Sequence, residues 1–291
     1  MPKTPRLLKR ARLAALLTSA LTLAGCTPVN LVNAFVRSGN FSLERDLAYG
    51  SQERQKLDVY LPKGARNAPV LVFVHGGSWY NGDKSDYPFL ADAFVDSGYV
   101  AVIINYRVAP RAQFPAFVQD AALAVRWVKD NIARYGGDPG RVYLMGQSAG
   151  AQIAALVALD PTYLREVGLE RSALRAFVGQ AGPYDFRAFL EEDRPTQIAM
   201  GPREQWPRTQ PINFVDGKAP PMLLQHGLKD TVVNTNNPDW LGGRVRAAGG
   251  TAEIKYYPNV DHPGIIGALS RVARFLDPQV LPDLLDFLKR H

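Results

Sequence analysis

Cysteine and histidine are scarce in this 291-residue chain, which has one cysteine and four histidines. A single cysteine, Cys26, excludes a disulfide within the chain, and no cluster of histidines and cysteines has the spacing of a metal site. The G-x-G-x-x-G and P-loop patterns, in which glycine-rich turns bind phosphates, are also absent. We therefore expect no metal and no cofactor, and a nucleotide-binding sheet is disfavoured.

Positive charge is concentrated at the N-terminus. Most of the formal net charge of +7 comes from five basic residues near the start, Lys3, Arg6, Lys9, Arg10 and Arg12. Elsewhere no basic stripe is interleaved with aromatic residues, which is the pattern expected of a nucleic-acid-binding surface. We therefore expect no nucleic-acid partner.

The same basic residues begin a targeting segment. They precede an apolar run, 13–23, that is shorter than the ~20 residues of a membrane-spanning helix. The run ends in Leu-Ala-Gly-Cys at 23–26, which resembles a bacterial lipobox. In a lipobox the cysteine thiol is lipidated and becomes the mature N-terminus. Residues 1–25 are therefore predicted to be a lipoprotein signal peptide, with an ordinary cleaved signal peptide or an uncleaved anchor as alternatives.

Lipidation at Cys26 would attach the protein to a membrane by an acyl anchor, without a spanning helix. The predicted location is that of an exported bacterial lipoprotein, membrane-anchored outside the cytoplasm, in the periplasm or at the cell surface. Residues 26–45 are expected to form a tether. The oligomeric state is left open.

Residues 46–291 have the pattern of one α/β domain. Continuous apolar runs at 68–74 and 99–104 are typical of parallel strands buried on both faces. Helical stretches separate most of the predicted strands, which lie at 56–61, 68–74, 99–104, from Val142, 176–180, 221–226 and 252–257. This alternation predicts a doubly wound, mostly parallel sheet with helices on both faces.

The strand that starts at Val142 leads into Gly146-Gln147-Ser148-Ala149-Gly150 and then a helix of small residues. G-x-S-x-G between a strand and a helix is the pattern of a nucleophile elbow. A serine at the tip of so sharp a turn has a strained backbone, and glycines two residues either side avoid collisions with neighbouring elements. Ser148 is the candidate nucleophile.

A serine nucleophile needs a histidine base, and the histidine needs an orienting carboxylate. His262 lies on a loop directly after the last predicted strand, where open α/β sheets place their sites. Asp230 lies four residues past the 221–226 strand and is the candidate acid. Asp261 is its rival, although a turn residue before His262 is the better interpretation of Asp261. The order serine, aspartate, histidine is that of α/β-hydrolases.

The sequence His75-Gly76-Gly77 follows a predicted central strand. Two glycines there let the backbone pass close to a bound acyl group. The N–H groups of Gly76 and Gly77, with that of Ala149, are the predicted oxyanion hole. His75 is expected to orient this loop and to take no part in catalysis.

Several motifs in this order resemble those of the α/β-hydrolase esterases. They are HGGSW at 75–79, GDK at 82–84, NYRVAP at 105–110, FPA at 114–116, GQSAG at 146–150, HGLKD at 226–230 and DHPG at 261–264. The resemblance is greatest to the carboxylesterase and feruloyl-esterase-like, isoprenylcysteine-methylesterase-like branch, and covers about residue 45 to the end. Many relatives have HGGGW, and Ser78 replaces their third glycine. The resemblance implies that Arg107 and Asp120 form a structural pair.

The function that follows is a serine esterase whose partner is a small-molecule ester, cleaved through an acyl-enzyme. An arylformamidase or amidase is the alternative within hydrolases, because arylformamidases resemble this chain in the same motifs. A non-enzymatic surface lipoprotein on a hydrolase scaffold is the alternative of another class. A complete triad disfavours it, because a scaffold has no need of all three groups.

The expected cap is short. Residues 186–219, between the elbow and the acid, are too few for a lid domain and are broken by four prolines. Trp79, Tyr184, Phe186 and Trp206 are candidate pocket residues, with packing of the cap onto the core as an equal alternative. A cap of this size predicts short acyl groups, acetyl to butyryl, or small aromatic acids, without interfacial activation.

The lipid anchor is testable at Cys26. We expect Cys26→Ser to abolish labelling by a palmitate analogue and to move the protein from the membrane to the soluble fraction, because the variant lacks the acylated thiol. Membrane fractionation and metabolic labelling measure both effects. Label retained by the variant would place the lipid on another residue.

Overall fold

An eight-stranded sheet is the frame of the computed structural model, which describes residues 28–291. The predicted signal peptide and Cys26 lie outside the described residues. The strand order is β1-β2-β4-β3-β5-β6-β7-β8, with β3 to β8 parallel and β2 antiparallel to both of its neighbours. The strands are β1 (Phe41–Ala48), β2 (Lys56–Pro62), β3 (Ala68–Val74), β4 (Val100–Ile104), β5 (Gly137–Gln147), β6 (Ala176–Gln180), β7 (Met222–Gly227) and β8 (Ala252–Tyr257).

Helices cover both faces of the sheet because the central strands are apolar on both faces. Val70 and Val72 of β3 pack into one buried layer, and Leu71 and Phe73 pack into the other. The helices are α1 (Pro28–Asn33), α2 (Pro88–Asp96), α3 (Ala116–Asn131), α4 (Ala149–Leu159), α5 (Pro161–Glu166), α6 (Arg187–Glu192), α7 (Arg194–Met200), α8 (Trp206–Thr209), α9 (Asn237–Ala247), α10 (Gly264–Gly267) and α11 (Val280–Arg290). The first layer takes in α3, α4 and α9, and the second takes in α2 and α11. The doubly wound, mostly parallel sheet is confirmed.

The N-terminal boundary differs from the prediction. The expected tether, 26–45, includes α1 and the start of β1, and the expected domain start at 46 falls inside β1. Asn33 fastens α1 to the domain, since its Nδ2 donates to the carbonyl of Asp86 (2.9 Å) and its Oδ1 accepts from the N–H of Phe89 (3.0 Å). From Pro28 onward the chain is therefore part of the domain.

The pair Arg107 and Asp120 ties the segment after β4 to α3. Asp120 is fully buried, and Arg107 Nη2 lies 2.7 Å from its Oδ1. The carboxylate also accepts from the backbone N–H of Arg107 (2.8 Å) and from Gln55 Nε2 (2.6 Å). A buried carboxylate with this many donors is a structural anchor, in keeping with the role that the resemblance implies.

The carboxyl ends of the parallel strands bring the candidate residues to one edge of the sheet. His75 follows β3, Ser148 follows β5, Asp230 follows β7 and His262 follows β8. Ligands of open α/β sheets bind at this edge. Among residues 28–291 no helix is both long enough and apolar enough to cross a bilayer.

Candidate active site

Ser148 occupies the turn between β5 and α4. Its backbone, with φ of 55° and ψ of −126°, has a conformation that residues other than glycine rarely adopt. A Cβ at Gly146 would lie 2.2 Å from the carbonyl oxygen of Gly150, and one at Gly150 would lie 2.1 Å from that of Val74. Both distances are far below contact, so the two glycines are what allow the turn to be this tight. The elbow geometry predicted for G-x-S-x-G is present.

Three side chains from distant parts of the chain meet in one hydrogen-bonded row. His262 Nε2 lies 2.8 Å from Ser148 Oγ, and His262 Nδ1 lies 2.8 Å from Asp230 Oδ2. An ionised carboxylate only accepts hydrogen bonds, so Nδ1 of His262 donates to it. The lone pair of Nε2 then faces the serine hydroxyl, as a general base requires. The structure thus brings together the three residues predicted from the sequence.

Asp230 is held as the anion. Its Oδ1 accepts from the N–H groups of Val232 (2.8 Å) and Val233 (2.9 Å). Burial alone would raise the pKa of this carboxyl, but hydrogen bonds from His226, His262 and the Val233 N–H hold the pKa well below its usual range. An orienting carboxylate needs this charge in order to stabilise the imidazolium that forms during catalysis.

Asp261, the rival acid, bonds the turn that follows it. Its Oδ1 accepts from the backbone N–H of Gly264 (2.8 Å), and its side chain is exposed. This is the geometry of a turn residue, in agreement with the preferred interpretation of the sequence.

The predicted oxyanion loop lies directly beside the nucleophile. A Cβ at Gly76 would lie 2.4 Å from Gln147 Oε1 and 3.2 Å from Ser148 Cβ, so this glycine lets the loop approach the elbow closely. Within residues 28–291 the N–H of Gly77 has no backbone acceptor, whereas the N–H of Gly76 contacts the side-chain oxygen of Tyr87. Ala149 is the first residue of α4, where the N–H has no partner in the helix. In the described part of the chain, the N–H groups of Gly77 and Ala149 are therefore available to a bound substrate.

His75 holds this loop in place, which is the role expected from the sequence. It is fully buried, its ring stacks on Tyr106 at 4.5 Å between centroids, and its Nδ1 lies 2.7 Å from the carbonyl oxygen of Gly76. Burial lowers the pKa of His75 to about 4, so the ring is neutral at physiological pH. Gly82 lies against it, since a Cβ at Gly82 would come within 2.5 Å of His75 Nδ1.

A cavity of 480 Å³ opens beside Ser148. Of the four candidate pocket residues, Trp79 and Phe186 line it and stack on each other at 5.6 Å between ring centroids. Other apolar residues of its wall, missed in the sequence, are Phe189, Val232, Val233 and Trp240. They lie on loops and on α6 and α9, outside any motif, so no local signal marks them.

The other two candidates, Tyr184 and Trp206, are not pocket residues. Tyr184 is fully buried, and its ring packs against Gly179 and Gly182. Trp206 packs against the core and donates from Nε1 to the carbonyl of Gly201 (3.1 Å). Both fasten the cap segment to the domain, which is the packing alternative.

Two glutamines, also missed in the sequence, position parts of the site. Gln147 is the residue before the serine in G-x-S-x-G, and its Nε2 donates to the carbonyl of His262 (3.4 Å). Gln152 of α4 is buried and accepts from Trp79 Nε1 (2.9 Å), while its Nε2 donates to the carbonyl of Thr209 (2.7 Å). It therefore joins the oxyanion loop to the cap.

No group of three or more histidine, cysteine or acidic side chains in the described part of the chain could hold a metal ion.

These features define an α/β-hydrolase: a mostly parallel sheet, a serine on the turn after β5, and the order serine, aspartate, histidine along the chain. A model of the BD-FAE family matches residues 57–243, and the chain belongs to that family.

Curated relatives are named esterases. Esterase LipQ of Mycobacterium tuberculosis is 34% identical over 247 residues, with 78% of this chain and 58% of LipQ covered. A probable isoprenylcysteine alpha-carbonyl methylesterase of Arabidopsis thaliana, ICMEL1, is 28% identical over 272 residues, with 82% and 56% covered. This chain thus spans somewhat more than half the length of these relatives.

Solved structures support the fold. A truncated carbohydrate esterase from gut microbiota superposes with a TM-score of 0.75 at 24% identity, covering 87% of this chain and 97% of the other. Esterase B from Lactobacillus rhamnosis, inhibited by a tributyrin phosphonate, also has a TM-score of 0.75 at 19% identity, covering 99% and 97%.

The choice of acid is testable by two matched substitutions. We expect Asp230→Asn to lower kcat for ester hydrolysis by roughly 10³–10⁴-fold, because His262 loses the partner that fixes its tautomer. Asp261→Asn should cost far less, since that side chain bonds a turn N–H. Steady-state kinetics of both variants measure this, and a larger loss at Asp261 would reverse the assignment.

The neutral, buried His75 predicts acid lability. An unfolded histidine takes up its proton near pH 6.5, whereas folded His75 does so only near pH 4. Between these values the unfolded state binds more protons, so the free energy of unfolding falls as the pH decreases through this window. We expect His75→Phe to make that fall shallower in urea unfolding at pH 7 and pH 4.5. An equal fall in both proteins would contradict the role given to burial of His75.

Proposed function

We propose that this protein is a serine esterase that hydrolyses small carboxylic esters through an acyl-enzyme. The observation that carries the proposal is the row from Ser148 Oγ through His262 to Asp230, with both hydrogen bonds at 2.8 Å. Membership of the BD-FAE family and the named esterase relatives support it. A non-enzymatic scaffold would gain nothing from the strained serine or from donors without partners.

The reaction has two halves. Ser148 Oγ attacks the ester carbonyl carbon while its proton passes to His262 Nε2, and the oxyanion accepts from Gly76, Gly77 and Ala149. Collapse breaks the bond to the alcohol oxygen, which takes the proton from His262. Water then attacks the acyl-enzyme with His262 again as base, and the acid leaves as Ser148 recovers its proton.

The cavity supports a preference for small substrates. Ligand pockets are about 300–1,000 Å³, and 480 Å³ lies at the low end of this range. The longest helix of the cap segment, α7, has 7 residues. Such a segment offers no long apolar face to a lipid surface, so the proposed substrates are esters of acetyl to butyryl or small aromatic acids.

We also propose that the protein is exported and held at a membrane by a lipid on Cys26. The signal-like N-terminus and the Leu-Ala-Gly-Cys run support this. Since α1 begins at Pro28 and is fastened to the domain by Asn33, such an anchor would hold the enzyme close to the membrane surface. On this proposal the anchor sets the position of the enzyme and does not deliver it to lipid substrates.

The nucleophile is tested by Ser148→Ala. We expect kcat for nitrophenyl acetate to fall by roughly 10⁴–10⁶-fold with the fold intact, because no other group can form the acyl-enzyme. Circular dichroism and thermal melting provide the control for folding. A variant that keeps wild-type turnover would show that the esterase mechanism is wrong.

Acyl length is tested with acetyl, butyryl, octanoyl and dodecanoyl nitrophenyl esters. We expect kcat/KM to be greatest for the acetyl or butyryl ester and to fall with longer acyl chains, because these chains do not fit within the 480 Å³ cavity. No jump in rate should occur above the solubility limit of the substrate. A maximum at dodecanoyl with such a jump would make the protein a lipase.

A further inference from the structure

A second histidine contacts the candidate acid. His226, at the end of β7, is fully buried, and its Nε2 lies 3.0 Å from Asp230 Oδ2. This is the same oxygen that His262 Nδ1 approaches to 2.8 Å. One carboxylate oxygen is thus shared by two imidazoles, while Oδ1 takes the two backbone N–H groups of Val232 and Val233.

The contacts of His226 decide its tautomer. Its Nε2 faces two acceptors, Asp230 Oδ2 and, at 3.3 Å, the carbonyl oxygen of Val233. Its Nδ1 is buried and has no hydrogen-bond partner within residues 28–291. A proton on Nδ1 would leave a buried donor without an acceptor, which is costly. The ring therefore carries its proton on Nε2, where the Asp230 carboxylate and the Val233 carbonyl share it as acceptors.

We propose that His226 is a positioning residue of the active site, which fixes Asp230 Oδ2 in line with His262 and shares the charge of that oxygen. The inference rests on the proposed esterase function for its kinetic consequences but not for the tautomer. A carboxylate oxygen that accepts from two rings offers less charge to each. His226 thus limits how strongly Asp230 stabilises a proton on His262, and it prevents the carboxylate from rotating.

Few other ionisable groups lie near this pair. On β8, Tyr256 is paired with His226 in the sheet register, and burial raises its pKa well above the usual range, so it stays neutral. Asp261 bonds the turn N–H of Gly264, and Lys229 is exposed. Among the described residues, the side chains that hydrogen-bond to Asp230 are His226 and His262.

The test compares His226→Phe, which removes the donor, with His226→Gln, whose amide nitrogen can take the place of Nε2. For His226→Phe we expect the acid limb of the plot of kcat/KM against pH to move to higher pH by about 0.5 unit. Without a hydrogen bond from His226, the Asp230 carboxylate stabilises the protonated form of His262 more strongly. The kcat should fall about tenfold with KM within about twofold, because orientation affects the chemical step. In His226→Gln the acid limb should lie at the same pH as in the wild type.

Val128→Ala, a buried change in α3 away from the site, is the control for lost stability. If Val128→Ala lowers the melting temperature as much as His226→Phe does and also moves the acid limb of the kcat/KM profile, the positioning role is wrong. If His226→Phe does not fold, His226→Asn replaces it, because its shorter amide reaches only the Nδ1 position. An acid limb that is the same in the asparagine and glutamine variants would overturn the proposal.

Nitrogen-15 NMR of labelled histidine tests the tautomer without using activity. We expect the His226 signal, assigned by its loss in His226→Gln, to show a protonated Nε2 and an unprotonated Nδ1 at neutral pH. The opposite tautomer would overturn the proposal. If the wild type hydrolyses no ester, the esterase function fails and this spectrum still decides the inference; if it hydrolyses esters and the limb does not move in His226→Phe, the inference alone fails.

Discussion

The backbone of Ser148, with φ of 55° and ψ of −126°, is the constraint on which the site depends. The conformation is strained for a serine, and it persists because the end of β5 and all of α4 are buried and approach each other closely at Gly146 and Gly150. The same turn points the serine hydroxyl at His262 and leaves the N–H of Ala149 at the start of the helix. A single backbone conformation thus provides the proposed nucleophile and one proposed oxyanion donor.

The rest of the site is assembled from buried polar groups that hold loops in place. His75 supports the oxyanion loop, Gln147 holds the backbone of His262, and Gln152 joins Trp79 to the cap. The bonds of His75 and Gln152 are buried, where an unpaired polar group would cost about 1–3 kcal/mol. On the proposed mechanism, the reacting groups are therefore positioned before a substrate arrives, which is how enzymes avoid reorganisation during the reaction.

The sequence predicts the strands of this sheet apart from β1, one of its two edge strands. The strands Ala68–Val74, Ala176–Gln180 and Ala252–Tyr257 are predicted with their observed bounds, because short apolar or alternating runs bounded by breakers are strong signals. The edge strand β1 has mostly exposed, charged residues and resembles a linker. The three triad residues are predictable from motif and order, but the contact of His226 with Asp230 and the burial of Tyr184 depend on side-chain directions that no spacing encodes.

The central claim is that Ser148 is a nucleophile activated by His262 and Asp230, and covalent titration tests it most directly. The purified protein is treated with an organophosphonate, and the modified peptide is located by mass spectrometry. We predict one adduct per chain, on Ser148, with loss of ester hydrolysis in proportion to labelling, and no adduct in Ser148→Ala. Hydrolysis that persists after complete labelling, or an adduct on another residue of the active protein, would contradict the account.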